Sequence, residues 1–147
     1  MITGRHKVTG KTVAIKVFSK PQKEVDRTSG QLIELDVRRK LQESKMSGIT
    51  KLVEHFEDKN FVYQVTSLMN MMTLQTTMER SSTRYLTLSE LQSPARTIVC
   101  VVAAIHSAGF IHNDIQPGNI LLNREPTKRM MTIALNGFSR CSRIGSR

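Results

Sequence analysis

The chain has 147 residues, 39% of them apolar and 23% charged, which suits one folded domain with one core and argues against wholesale disorder. Its 22 Lys and Arg outweigh 12 Asp and Glu, giving a formal net charge of +10. No apolar run is long enough to cross a bilayer, and Met1-Ile2-Thr3-Gly4-Arg5-His6-Lys7 lacks the apolar stretch of a secretory signal, so an intracellular protein, cytoplasmic or nuclear, is expected.

The excess charge sits at the two ends. Arg5, Lys7, Lys11, Lys16, Lys20 and Lys23 stand at one end, and Lys128, Arg129, Arg140, Arg143 and Arg147 at the other, with no acid between residues 1 and 23 or 126 and 147. Aromatic residues are 5% and none alternate with the basic ones, so the pattern reads as solvated charge rather than a nucleic-acid surface. Cys100 and Cys141 lie outside any Cys-x-x-Cys spacing, which indicates neither a disulfide framework nor a zinc site. Cys100, inside Ile98-Val99-Cys100-Val101-Val102, reads as a core residue.

In chain order, Thr12-Val13-Ala14-Ile15-Lys16-Val17-Phe18 is β-branched and apolar behind a Gly10-Lys11 turn, and predicts a strand. Alternation puts Val13, Ile15 and Val17 on one face and Ala14, Lys16 and Phe18 on the other. Thr28-Ser29-Gly30-Gln31 has capping-box spacing, and Ile33, Val37 and Leu41 recur every four residues, predicting a helix over 29–42 with Glu34 beside its apolar stripe. Ile49 to Phe56 and Phe61 to Thr66 predict two strands around the polar turn Glu57-Asp58-Lys59-Asn60. Leu74 to Glu79 predicts a short helix. Ser93-Pro94 predicts a helix start, with Ile98, Val102 and Ile105 on its buried face and Gly109 as its stop. Short apolar runs follow at Ile120-Leu121-Leu122 and from Met130 to Leu135.

The segment His112-Asn113-Asp114-Ile115-Gln116-Pro117-Gly118-Asn119-Ile120-Leu121-Leu122 has the form His-x-Asp-x-x-x-x-Asn followed by apolar residues. With Val13-Ala14-Ile15-Lys16, Glu34 and the paired strands in the same order, the chain resembles a eukaryotic-type Ser/Thr protein kinase domain. Phe56 to Val62 and Leu86 to Ser107 are similar to polo-like and calcium/calmodulin-dependent kinases. The resemblance implies an α+β fold: a small antiparallel sheet with one helix in residues 1–66, a hinge at 67–72, and a mainly helical partial lobe in 73–147 that ends in the activation segment.

It also implies roles. Phosphoryl transfer needs positioning and charge neutralisation, so Lys16 would hold the ATP phosphates and Glu34 would hold Lys16. Asp114 would accept the substrate hydroxyl proton, and Asn119 would ligate Mg2+. His112 would support the loop. Thr66 falls at the gatekeeper position, Leu68 and Met69 where backbone groups meet adenine, and Ala14 and Leu121 on either side of its ring.

Four departures from the family pattern point toward impaired phosphotransfer. Met1-Ile2-Thr3-Gly4 lines up with the strand after the Gly-rich loop, so that loop is expected to be missing. Leu135-Asn136-Gly137-Phe138 stands where Asp-Phe-Gly is expected; leucine offers no oxygen to a hard cation, and a one-residue slip leaves Asn136 as a weak neutral ligand. Gln116 replaces the lysine two residues after the catalytic aspartate, and Asn113 replaces the arginine before it. The chain also stops at Arg147, so the helices that would cover Ile98, Val102 and Ile105 are expected to be absent, leaving a face for self-association or a protein partner along residues 94–107. The expected function is therefore a truncated, pseudokinase-like protein. A low-activity kinase with Asn136 as a makeshift ligand, and a basic module binding nucleic acid or protein, stay open as alternatives.

Overall fold

The computed structural model describes residues 2–20, 30–68, 72–80, 87–123 and 132–145. A four-stranded antiparallel sheet in the order β1-β2-β4-β3 is built from β1 (Ile2–Arg5), β2 (Thr12–Ser19), β3 (Leu52–Glu57) and β4 (Phe61–Ser67). Helix α1 (Gly30–Glu43) lies between β2 and β3 in the chain. Beyond the sheet come β5 (Met72–Thr73), α2 (Leu74–Arg80), α3 (Leu88–Ser107), β6 (Phe110–Ile111), β7 (Ile120–Asn123), β8 (Thr132–Leu135) and β9 (Ser142–Arg143). Strands β5-β7-β8 form a second small sheet, and β6 pairs with β9.

The β3-β4 turn is held by Asp58, whose Oδ1 accepts the N–H groups of Asn60 and Phe61, each at 2.8 Å, and whose Oδ2 accepts the Tyr63 hydroxyl at 2.7 Å. The Tyr63 hydrogen bond and the two backbone donors hold the Asp58 carboxyl below the usual carboxylate range.

One core joins α1, α3 and the segment after β8. Val37, Leu41, Val101, Ile105, Phe110, Leu135, Phe138 and Cys141 are all buried in it. Gly48 allows the close approach of α1's trailing loop to α3: it has φ +85°, and a Cβ there would stand 2.5 Å from Thr97 Cγ2. Its carbonyl accepts the Leu135 N–H at 2.8 Å, tying that loop to β8.

Several sequence expectations need correction. The strand expected from Ile49 begins at Leu52, because Ile49 instead makes an isolated parallel bridge with Leu135 and turns into the core. Helix α3 begins at Leu88, and Pro94 lies inside it rather than at its start. The Leu91 N–H donates to the Thr87 carbonyl at 3.0 Å, so a turn forms ahead of the proline. Leu88 and Leu91 are exposed, and hydrophobic periodicity carries no signal for a turn that buries nothing.

Cys100, expected in the core, is exposed, whereas Cys141 is buried. On α3 Pro94, Val101 and Ile105 are buried, whereas Ile98 and Val102 are half-buried against the core and Val99 is exposed. Thus Ile105 is not left uncovered. Thr28-Ser29 and Met130 lie outside the described residues. Some of the basic charge near the chain ends is used internally, since Arg143 Nη2 stands 2.7 Å from Asp36 Oδ2 and its guanidinium lies 5.1 Å from the Phe110 ring centre.

Candidate active site

Strand β2 carries Lys16 toward α1, where Nζ meets Glu34 Oε2 at 2.7 Å. The strand alternation and the helix spacing each place one partner, and the fold brings them together. Lys16 also lies 4.8 Å from the ring centre of Phe18, its neighbour on the same strand face. Ala14, buried on the same strand, is opposite Thr66 in the β2-β4 register, so the two residues expected at the adenine end adjoin one another. Leu68 is half-buried just past β4, and Leu121 is half-buried on β7, opposite Ala134 and Thr73. Met69 lies outside the described residues.

The loop between β6 and β7 folds around Asp114. Asn119 Nδ2 donates to Asp114 Oδ2 and to the Asp114 carbonyl, each at 2.8 Å, and Gln116 Nε2 donates to Asp114 Oδ1 at 3.0 Å. Arg140 Nη1 stands 3.7 Å from the same oxygen. Asn113 adopts φ 60°, a left-handed conformation that asparagine tolerates better than most residues. Its Nδ2 donates to Ser142 Oγ at 2.8 Å and to the Arg140 carbonyl at 3.2 Å, so it binds the following segment directly.

His112 is fixed in one neutral tautomer by its partners. Its Nδ1 faces the Asp114 N–H at 3.2 Å and must accept; its Nε2 faces the Asn136 carbonyl at 3.0 Å and must donate. Burial pushes the imidazole below its ordinary pKa, and that outweighs the Asn136 carbonyl and the carboxylates of Asp114 and Glu34, which act the other way. A buried, neutral His112 holding two loops together is a structural support, as expected.

Strand β8 ends with Leu135 in the core, and the turn after it leaves Asn136 facing α1. The Asn136 N–H donates to the Asn119 carbonyl at 2.9 Å, joining it to the Asp114 loop. Gly137 has φ +80°, and a Cβ there would fall 2.4 Å from Asn119 Cγ, so only glycine lets the turn lie against Asn119. Phe138 is buried edge-on to His112, with ring centres 5.3 Å apart.

Arg38 joins the site without any sequence motif to mark it. Nearly fully buried on α1, it donates through Nη2 to Asn136 Oδ1 at 2.6 Å, through Nε and Nη2 to Glu34 Oε1 at 3.2 and 3.1 Å, and through Nη1 to Thr50 Oγ1 at 2.9 Å. Its guanidinium also lies 4.8 Å from the Phe138 ring centre. A hydrogen-bonded path therefore runs from Lys16 through Glu34, Arg38, Asn136 and Asn119 to Asp114. The available signal was the spacing of four between Glu34 and Arg38, which puts them on one helix face.

The family model described as protein kinase domain matches residues 1–144. The chain belongs to the protein kinase domain family. Serine/threonine-protein kinase cot-1 of Neurospora crassa is 32% identical over 125 residues, covering 80% of this chain and 19% of that protein. Serine/threonine-protein kinase PLK4 of Nematostella vectensis is 32% identical over 143 residues, covering 90% of this chain and 13% of that protein. Rhodopsin kinase GRK7 of Sus scrofa is 28% identical over 129 residues, covering 88% of this chain and 23% of that protein. The chain thus spans less than a quarter of the length of these relatives. No helix among the described residues is long and apolar enough to cross a membrane.

Protein kinase domains use ATP and Mg2+. The residues at the metal corner fit a divalent cation poorly. Asn119 and Asn136 are neutral amides, and the Asn136 oxygen already receives a charged donor. No group of three or more His, Cys, Asp and Glu among the described residues is arranged to hold a metal ion. The lysine corner is different: Lys16 is 37% exposed at its side chain while Glu34 is 1% exposed, so the ammonium is oriented from behind and open in front, as a phosphate-binding cation must be.

Proposed function

We propose that this kinase-fold protein is impaired in phosphotransfer from ATP to protein hydroxyls and works chiefly by binding. The observation that carries the reading is the neutral Asn136 amide at the corner where the family places its metal-binding carboxylate, with its oxygen engaged by Arg38. Gln116 adds to it: it hydrogen-bonds Asp114 but brings no positive charge to a transferring phosphoryl group. Removing one preorganised electrostatic group typically costs on the order of 100- to 1000-fold in turnover. The Lys16–Glu34 pair and the Asp114 loop keep the geometry of a nucleotide site, which supports retained ATP binding without efficient transfer. The exposed side of α3 around Val99 supports a protein contact, with a second copy of the chain as the occupant to test.

The test is radiolabelled phosphate transfer from γ-labelled ATP to a mixture of Ser- and Thr-containing peptides, with Asp114→Asn in parallel. The expected result is incorporation no greater for the wild type than for the variant. Incorporation that Asp114→Asn abolishes would establish the low-activity kinase instead.

A further inference from the structure

We infer that Arg38 acts as a built-in cation that closes the Asn136 corner to divalent metal, so that the site takes a nucleoside phosphate on Lys16 without a metal ion. This rests on reading the Lys16 region as a nucleotide site. Four features of Arg38 support it.

A guanidinium has only donors, so the amide facing it at 2.6 Å must present its oxygen, and that oxygen is the only one Asn136's side chain has. A Mg2+ ion bound to the same oxygen would stand about 2 Å from it, hence within about 5 Å of the Arg38 nitrogen, with like charges repelling in a poorly solvated place.

Arg38 is also unable to swing aside cheaply. Its side chain is 4% exposed, and it is fastened at separate nitrogens to Glu34 and Thr50 while lying over Phe138. Leaving would break all of these and strand a buried charge.

The charges nearby are already balanced in this arrangement. Glu34 divides its two oxygens between Lys16 and Arg38, so the buried carboxylate has no surplus negative charge to offer a metal. Lys16, half-exposed, keeps one face for an anionic ligand.

Finally, the same contact fixes where the turn lies. Asn136 is held on one side by Arg38 and on the other by the Asn119 carbonyl, so a carboxylate introduced at this position would meet the guanidinium first. Arg38 is therefore a positioning residue, acting through Asn136 rather than touching ligand.

The experiment measures ATP affinity of the full chain by isothermal titration with EDTA and again with Mg2+, for the wild type, Asn136→Asp, Arg38→Leu with Asn136→Asp, and Lys16→Ala. The wild type should bind ATP within twofold of the same affinity in both conditions. Asn136→Asp should stay equally indifferent to Mg2+, because the new carboxylate pairs with Arg38. The double variant should gain at least tenfold affinity from Mg2+. A Mg2+ response in the wild type or in Asn136→Asp alone overturns the role of Arg38 while leaving the nucleotide site standing, provided that Lys16→Ala weakens binding. Absence of ATP binding to the wild type in both conditions overturns the nucleotide-site reading and the inference with it. Should the double variant not fold, Asn136→Asp alone decides between these outcomes.

Discussion

Lys16 and Glu34 meet at 2.7 Å as an unequal pair: the carboxylate is buried and the ammonium is half-exposed. Glu34 has a second cation in Arg38, whereas Arg38 has no other carboxylate within ion-pair distance among the described contacts. The two substitutions should therefore differ in cost. Glu34→Ala strands a buried guanidinium and should destabilise by about 3 kcal/mol or more. Lys16→Met leaves Glu34 paired with Arg38 and should cost about 1 kcal/mol or less. Urea unfolding of both variants is the check, and equal losses would mean that Arg38 does not share Glu34.

What sequence could reveal here follows from where its signals come from. Lys16 and Glu34 were legible because each stands on a regular element whose periodicity orients it, and Asp114 and Asn119 because their spacing is local. Arg38 was not, because a basic residue between Val37 and Arg39 looks solvated until the turn carrying Asn136 folds onto it from nearly a hundred residues away. Cys100 departs from its expected burial for a related reason. Neighbours in sequence surround Cys100 with apolar residues, but on a helix Val101 and Ile105 turn inward and Cys100 faces out. Cys141 sits between Arg140 and Ser142, yet the fold closes Glu34, Arg38 and Phe138 around it. Local hydropathy cannot report burial that is made by distant segments.

The thiols should consequently react in two classes. Burial, with a smaller contribution from Glu34, pushes the Cys141 thiol up to about 12 against the opposing effect of Arg38. Iodoacetamide at pH 8 should modify Cys100 alone in the native chain and both cysteines in guanidinium chloride, read by peptide mass analysis. The raised value also has a sign for stability: its contribution is complete below the ordinary thiol range and is lost as pH rises through about 12. Fast modification of Cys141 under native conditions would contradict the packing of α1 on the 138–141 turn.

On α3, the substitution that tests association is Val99→Lys rather than a change at Ile105, which is fully buried and would unfold the core. Val99 is 67% exposed, so a charge there should leave folding nearly unchanged. Light scattering at tens of micromolar should show the wild type associating and the variant less associated. A wild type that is monomeric throughout removes self-association from the proposed function.

His112 should make the protein sensitive to mild acid. Its pKa is lowered in the folded chain, chiefly by burial, so stability is complete above the ordinary value near 6.5 and is lost as pH falls from there toward the folded value. Protonation also converts Nδ1 into a donor, which then faces the Asp114 N–H, another donor, at 3.2 Å. The Asn136 carbonyl and the carboxylates of Asp114 and Glu34 favour the charged form and narrow the effect without reversing it. One proton gives a slope of at most about 1.4 kcal/mol per pH unit. His112→Gln retains an acceptor and a donor but cannot titrate, so urea midpoints of wild type and variant should differ at pH 8 and converge as the pH falls below 6.5. Parallel midpoints across that window would show that the neutral imidazole is not what joins the Asp114 loop to Asn136.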